Sequence, residues 1–379
     1  MMPRKTTIPF PENKFYVKRD LWGGDQIDTS SPYIENGNIY RDIDRHPVLL
    51  EITKSGLSQR LASLGFIPGH RLEDSRLLME YIPWCIHTNA HCLRQSRDGL
   101  LKMLELTIYL NERGYTLRDL RYDQVALRYS DMPLLMDIGS IYKPVGRYKG
   151  VLFKEANLWA KRIGLNPKST EIKGLLKEVE NFYPKEPGTN WDSYDMSGKI
   201  REDIVEVPFI KKHIEQTNAQ NVLDAGANKG RISKYFAARM NMPVLACDTA
   251  GRCVEDLYLW AQKHNTKITA LKIDITVPPL LDGYDILKSD ALIASSLTHH
   301  LYRAGHNFVE QEKIFSSVTK KVALIEYVDP MDKHVSRWGV HWNQQEFEDA
   351  FKGWKLLEKV KLEPENPHRT WYAYEVCGV

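Results

Sequence analysis

"NVLDAGANKGRISKYFAAR", residues 221–239, changes character twice within a short span. Val222 and Leu223 open it as a buried strand, residues 224–230 form a glycine-bearing turn, and Ile232, Tyr235 and Phe236 recur at helical spacing. A strand leaving through such a turn into a helix is the opening unit of a parallel α/β sheet, whose ligands bind beyond the carboxyl ends of the strands. A dinucleotide fingerprint asks for G-x-G-x-x-G, but Asn228 stands where the second glycine belongs. A phosphate loop asks for Gly-Lys-Ser/Thr, but Lys229 precedes its glycine. Asp224 also places an acid at the strand end, so both phosphate readings fit poorly.

Downstream, apolar runs alternate with amphipathic segments: "PVLACD", "CVEDLYLWAQKH", "ITALKID", "DALIASS", "QEKIFSSVTKK" and "VALIEYV". Repeated strand–helix units predict a doubly wound parallel sheet. "WKLLEKVKLE" and "RTWYAYEVC" predict two further strands, an antiparallel pair completing it. Asp248 closes the second predicted strand, where an acid accepts both hydroxyls of a ribose, and Asp274 closes the third. Three acids are thus expected in register at successive strand ends. The fourth strand leads into "SLTHHLYR", and a neutral histidine there could deprotonate an acceptor hydroxyl. Glu326, Asp329 and Asp332 follow the fifth strand, as acceptor-side groups or ordinary loop carboxylates.

This half resembles class I S-adenosylmethionine (SAM)-dependent methyltransferases, in which an acid opens a D-x-G-x-x-x-G turn. The narrower likeness is to the nodulation-protein-type methyltransferases. It lies in "LDAGANKGRIS", the "HHL" after strand four, "LIEYVDPMD" ahead of "VSRW", and "RTWYAYEV". It implies a Rossmann-like, doubly wound seven-stranded sheet and a pocket for SAM, whose positive sulfur and zwitterionic tail suit a carboxylate-bearing turn. The implied cofactor contacts are Asp224, Gly226, Asn228, Gly230, Asp248, Asp274, Ile275 and Ser295, with His299 or His300 as catalytic base.

The chain has 379 residues, enough for two domains. The Pro-, Gly- and Asp-rich stretch "NFYPKEPGTNWDSYDMSGK" marks the seam, giving domains 1–185 and 186–379. Upstream, "LASLGFIPGHRLEDSRLLMEYIP" resembles the lobe junction of a kinase-like α+β fold, with Glu80–Pro83 as hinge. "TLRDLRYDQVALRYSDMPLLMDIGSI" is similar to a kinase catalytic loop followed by the metal-binding triplet. The resemblance puts Asp119, Gln124 and Asp137 at a site for ATP and magnesium. Leu117 replaces the loop histidine, Ile138 the triplet phenylalanine, and "VLLEITK" puts Glu51 where the strand lysine belongs. Phosphoryl transfer depends on positioned charge, so these departures favour a degenerate module over an active kinase.

A net charge of +3 with interspersed signs gives no footprint for nucleic acid. No apolar run approaches the length of a bilayer span and no signal-peptide core is present, so a cytoplasmic protein without a membrane span is expected. The five cysteines form no CxxC pair, which predicts free thiols. Cys85, His87, His91 and Cys92 crowd together in "WCIHTNAHC", but their irregular spacing argues against zinc. The expected activity is methylation of a carbohydrate or small-metabolite hydroxyl, with the upstream module aiding substrate or nucleotide binding. The rivals are a bifunctional kinase-methyltransferase, a nucleic-acid methyltransferase and a SAM-binding regulator.

Overall fold

A computed structural model describes residues 33–35, 38–42, 47–73, 76–79, 91–118, 120, 125–127, 133–135, 141–144, 149–190, 205–277, 284, 287–362 and 367–376. Two compact units divide the chain, Met1–Glu186 and Pro187–Val379.

The first unit is α+β. It runs β1 (Tyr33–Glu35), β2 (Asn38–Asp42), α1 (Pro47–Lys54), α2 (Leu57–Ser63), β3 (His70–Glu73) and β4 (Arg76–Met79), with the strands in the antiparallel order β1-β2-β4-β3. Next come α3 (Leu93–Asn111), β5 (Thr116–Leu117), β6 (Val125–Leu127), β7 (Pro133–Leu135), β8 (Ile141–Tyr142), α4 (Lys149–Arg162) and α5 (Ile172–Glu180). Here β5 pairs with β8, and β6 with β7. α3 carries the core, burying Leu100, Met103, Leu104 and Leu110. Buried Arg97 donates to the carbonyls of Val179, Glu180 and Phe182, at and just beyond the C-terminal end of α5.

"VLLEITK" is not a strand. It lies in α1, which Pro47 opens and which buries Leu49 and Ile52 at helical spacing. Glu51 instead accepts from the Tyr115 hydroxyl at 2.6 Å and pairs with Lys143 at 2.7 Å. An apolar run this short fits either period, and its register in the core decides. The expected hinge Glu80–Pro83 and the kinase-like positions Asp119, Gln124 and Asp137 lie outside the described residues, as do Cys85 and His87. The described residues therefore lend the kinase resemblance no support.

The second unit runs α6 (Glu206–Gln216), β9 (Val222–Ala225), α7 (Arg231–Met240), β10 (Val244–Asp248), α8 (Gly251–His264), β11 (Ile268–Lys272) and β12 (Ser289–Ala294). Beyond these are α9 (Thr298–Arg303), α10 (Phe308–Val318), β13 (Thr319–Val328), α11 (Gln344–Ala350), β14 (Lys355–Val360) and β15 (Arg369–Glu375). One seven-stranded sheet has the order β11-β10-β9-β12-β13-β15-β14. Parallel ladders join the first five of these strands, and β15 runs antiparallel between β13 and β14. The result is a Rossmann-like sheet whose strand order reverses between β9 and β12, the switch point at which such sheets bind ligands. β9 and β12 are buried along their whole length, as the continuous apolar runs require. Against β15, Phe347 of α11 meets Phe308, Tyr327, Phe351 and Tyr372 with ring centroids 4.7–5.3 Å away.

Among the described residues no helix is long and apolar enough to cross a membrane. Cys92, Cys247 and Cys253 are buried and form no disulfide among the described residues.

Candidate functional site

Three residues of the turn after β9 have positive φ: Gly226 at 71°, Asn228 at 50° and Gly230 at 74°. Each has a cause. The place of a Gly226 Cβ is taken by Leu297, whose Cδ1 would lie 3.0 Å away, and a Gly230 Cβ would collide with Leu257 of α8. Asparagine tolerates the left-handed region, and Asn228 turns its amide onto Asp248 Oδ2 at 2.7 Å. The other Asp248 oxygen accepts from the Ala250 amide at 2.8 Å. Asp248, the last residue of β10, thus stitches the first turn to the second strand end. An ionised carboxylate has about four acceptor positions, so these amides do not exhaust it. Burial raises the Asp248 carboxyl above the ordinary range, and the amides of Ala250, Asn228 and Thr249 oppose it.

The three acids are not in register. Asp224 lies inside β9, paired with Ala246, while Asp248 pairs with Lys272. Each successive acid therefore stands two residues farther along the sheet. Asp224 is 3 % exposed and accepts from the Ser233 amide and hydroxyl of α7. Burial pushes its carboxyl up to about 6, against those hydrogen bonds. Asp274 does not end the third strand. β11 stops at Lys272, one further ladder bond runs from Ile273 to Asp248, and Asp274 then folds into a side-chain turn accepting the Thr276 amide at 2.9 Å and hydroxyl at 2.7 Å. Asp274 is exposed, and its neighbour Ile275 is buried.

The expected histidines open α9. His299 is 4 % exposed, its ring lies 4.2 Å from that of His300, and Trp338 faces both at 5.5 and 5.2 Å. Burial, helped by His300 and Arg369, pushes His299 down to about 3. Burial, helped by Arg303 and Arg369, takes His300 to about 4. Both rings are neutral at physiological pH, and His299 Nδ1 is buried without a hydrogen-bond partner among the described residues. Ser295, just past β12, has its hydroxyl 3.5 Å from Glu326 Oε2.

Glu326 and Asp332 are not ordinary loop carboxylates. Both are buried, and both bind Arg369, at 3.2 and 3.0 Å. Asp329 accepts from the Met331 amide in its own turn. Arg231 at the head of α7 pairs with Glu206 of α6. Neither Asp224 nor Asp248 forms a salt bridge among the described residues, although the Arg231 guanidinium acts on Asp224 through space. A polar groove lined by Asn218, Gln220, Met240, Pro243 and Lys267 lies at the amino ends of the strands, away from these groups.

Arg369 and Ser296 escape sequence reasoning. Arg369 reads only as the start of a strand, and no residue pattern announces a serine at φ 50°. Trp338 was visible only as part of "VSRW".

No family model matches the sequence, and no curated protein matches it. Among solved structures the chain is similar to the CcbJ methyltransferase from Streptomyces caelestis, with 10% identity and a TM-score of 0.37 over 48% of this chain and 100% of that one. It is similar to a SAM-dependent methyltransferase from Clostridium acetobutylicum, with 13% identity and a TM-score of 0.36 over 47% and 95%. It is similar also to the bifunctional kinase-methyltransferase WbdD, with 14% identity and a TM-score of 0.37, covering 48% of this chain and 40% of the WbdD chain.

Proposed function

We propose that the second unit binds SAM and methylates a hydroxyl of a carbohydrate or small metabolite. The observation that carries this is Asp248. It is fixed at the β10 end by the amides of Asn228 and Ala250, beside the turn that leaves β9 at the switch point of the sheet. Such a carboxylate suits a ribose diol. The carboxylates Asp224 and Asp248, neither of them salt-bridged among the described residues, suit a ligand bearing an ammonium and a sulfonium better than a pyrophosphate.

When bound, SAM supplies an electrophilic methyl group whose in-line transfer to oxygen leaves a thioether. The chain's own part is to align the acceptor and take its proton. Burial keeps both imidazoles neutral, so either accepts a proton without first losing one. Their proton affinity is low, but the protonated ether formed by transfer is a far stronger acid than either imidazolium, so a weak base suffices. His299 Nδ1, buried and unpartnered, is the better placed to bind the acceptor hydroxyl.

Titration calorimetry with S-adenosylhomocysteine tests the reading. Wild type should bind, and Asp248→Ala, where it still melts cooperatively, should bind at least about tenfold more weakly. Undiminished affinity in the variant would remove the basis for the assignment.

A further inference from the structure

Five non-glycine residues have positive φ among the described residues, and four are asparagines: Asn218, Asn228, Asn241 and Asn265. The fifth is Ser296, at φ 50°. Asparagine visits this region readily, whereas serine is strained there. Such strain persists only where the surroundings over-determine it.

The surroundings are unusual. Buried Glu326 of β13 accepts the Ser296 amide at 2.6 Å and its hydroxyl at 2.9 Å on one oxygen, Oε2. Its backbone carbonyl accepts the Thr298 hydroxyl at 2.9 Å. Arg369 of β15 donates one nitrogen to Ser296 Oγ at 2.9 Å and to Glu326 Oε1 at 3.2 Å, and another to Asp332 Oδ2 at 3.0 Å. Asp332 in turn accepts the His334 amide at 2.9 Å, anchoring the loop that leads to Trp338. One guanidinium therefore ties the α9 entry to the loop whose indole faces both imidazoles.

We propose that Glu326 and Arg369 are positioning residues. They hold Ser296 in its left-handed conformation, and through it hold His299 and His300 of α9 against Trp338. That these rings serve as proton acceptors rests on the methyltransferase reading, but the clamp itself does not. Lysine cannot replace Arg369, because a single ammonium lacks the planar fork that reaches three acceptors on separate elements.

Ring-current shifts from Trp338 give a readout independent of any acceptor. In the full chain with ¹³C-labelled histidine, the two Cε1–H signals are assigned from His299→Gln and His300→Gln spectra. Ser296→Ala removes the hydroxyl and keeps the backbone penalty, leaving the left-handed form disfavoured by about tenfold. It should move both signals. Ser296→Gly also removes the hydroxyl but adopts positive φ freely, so it should leave both signals in place. A serine that merely packs would give the reverse ranking, because glycine leaves the larger gap. Arg369→Lys should likewise move both signals. Equal displacement by alanine and glycine, or none by alanine, would overturn the proposal. S-adenosylhomocysteine affinity should stay within about twofold of wild type in both Ser296 variants. A wild-type chain that fails to bind S-adenosylhomocysteine would sink the proposed activity while leaving the alanine–glycine contrast to decide the clamp.

Discussion

Gly226, Asn228 and Gly230 were legible because a left-handed turn restricts residue choice to glycine and asparagine. Gly230 is the most constrained of them, since positive φ and the Leu257 side chain both exclude a Cβ. Gly230→Ala should therefore lower stability by at least about 2 kcal/mol, from left-handed strain and overpacking together. Thermal unfolding reads it, and a melting temperature equal to wild type would refute the packing. Asp274 was misplaced for an equally local reason. "ITALKID" reads as strand to its last letter, yet Thr276 offers the Asp274 carboxylate an amide and a hydroxyl two residues on. That turn competes with the ladder, and the chain leaves the sheet. Ser296 left no trace in the sequence, because its conformation is imposed by Glu326 and Arg369, 30 and 73 positions away in the chain.

Strand–helix alternation announced β9 to β13 and the closing pair, since apolar runs bounded by turn residues are local signals. The insertion of β15 between β13 and β14 was not legible, because strand order is decided by long-range pairing such as Leu324 with Ala373. The two histidines, read as following the fourth strand, lie in α9, and their burial gives that helix a pH signature. The fold keeps His299 neutral down to about pH 3 and His300 down to about pH 4, whereas the ordinary value is 6.5. Between about 6.5 and 4 unfolding takes up protons at these rings, so their contribution weakens stability as the pH falls. Asp224, Asp248 and Glu326, raised by burial, push the opposite way over part of that range. The comparison must therefore be between variants. His300→Gln should lose less stability than wild type on acidification from pH 6.5 to 4.5, by at most about 1.4 kcal/mol per pH unit for one proton. Denaturant unfolding at the two pH values measures the difference, and parallel losses would mean that His300 titrates normally in the fold.

Pro, Gly, Asn and Asp resist both helix and sheet periods around residues 181–199, and the two compact units divide after Glu186. The first unit was read less well. Its core gathers around α3, and "VLLEITK", apolar in a way that fits either period, joined that core as a helix. The two units each bury their own apolar residues, the first around Leu100, Leu104 and Trp159 and the second along β9, β12 and β13. Every group assigned to the candidate site, from Asp224 to Arg369, belongs to the second unit. A chain covering residues 187–379 should accordingly unfold in one cooperative transition and bind S-adenosylhomocysteine within about threefold of the full chain. Denaturant titration followed by calorimetry would measure both. A fragment that melts without cooperativity would show that the sheet depends on the first unit for its stability. A fragment that folds but binds more than about tenfold more weakly would place part of the cofactor site in residues 1–186.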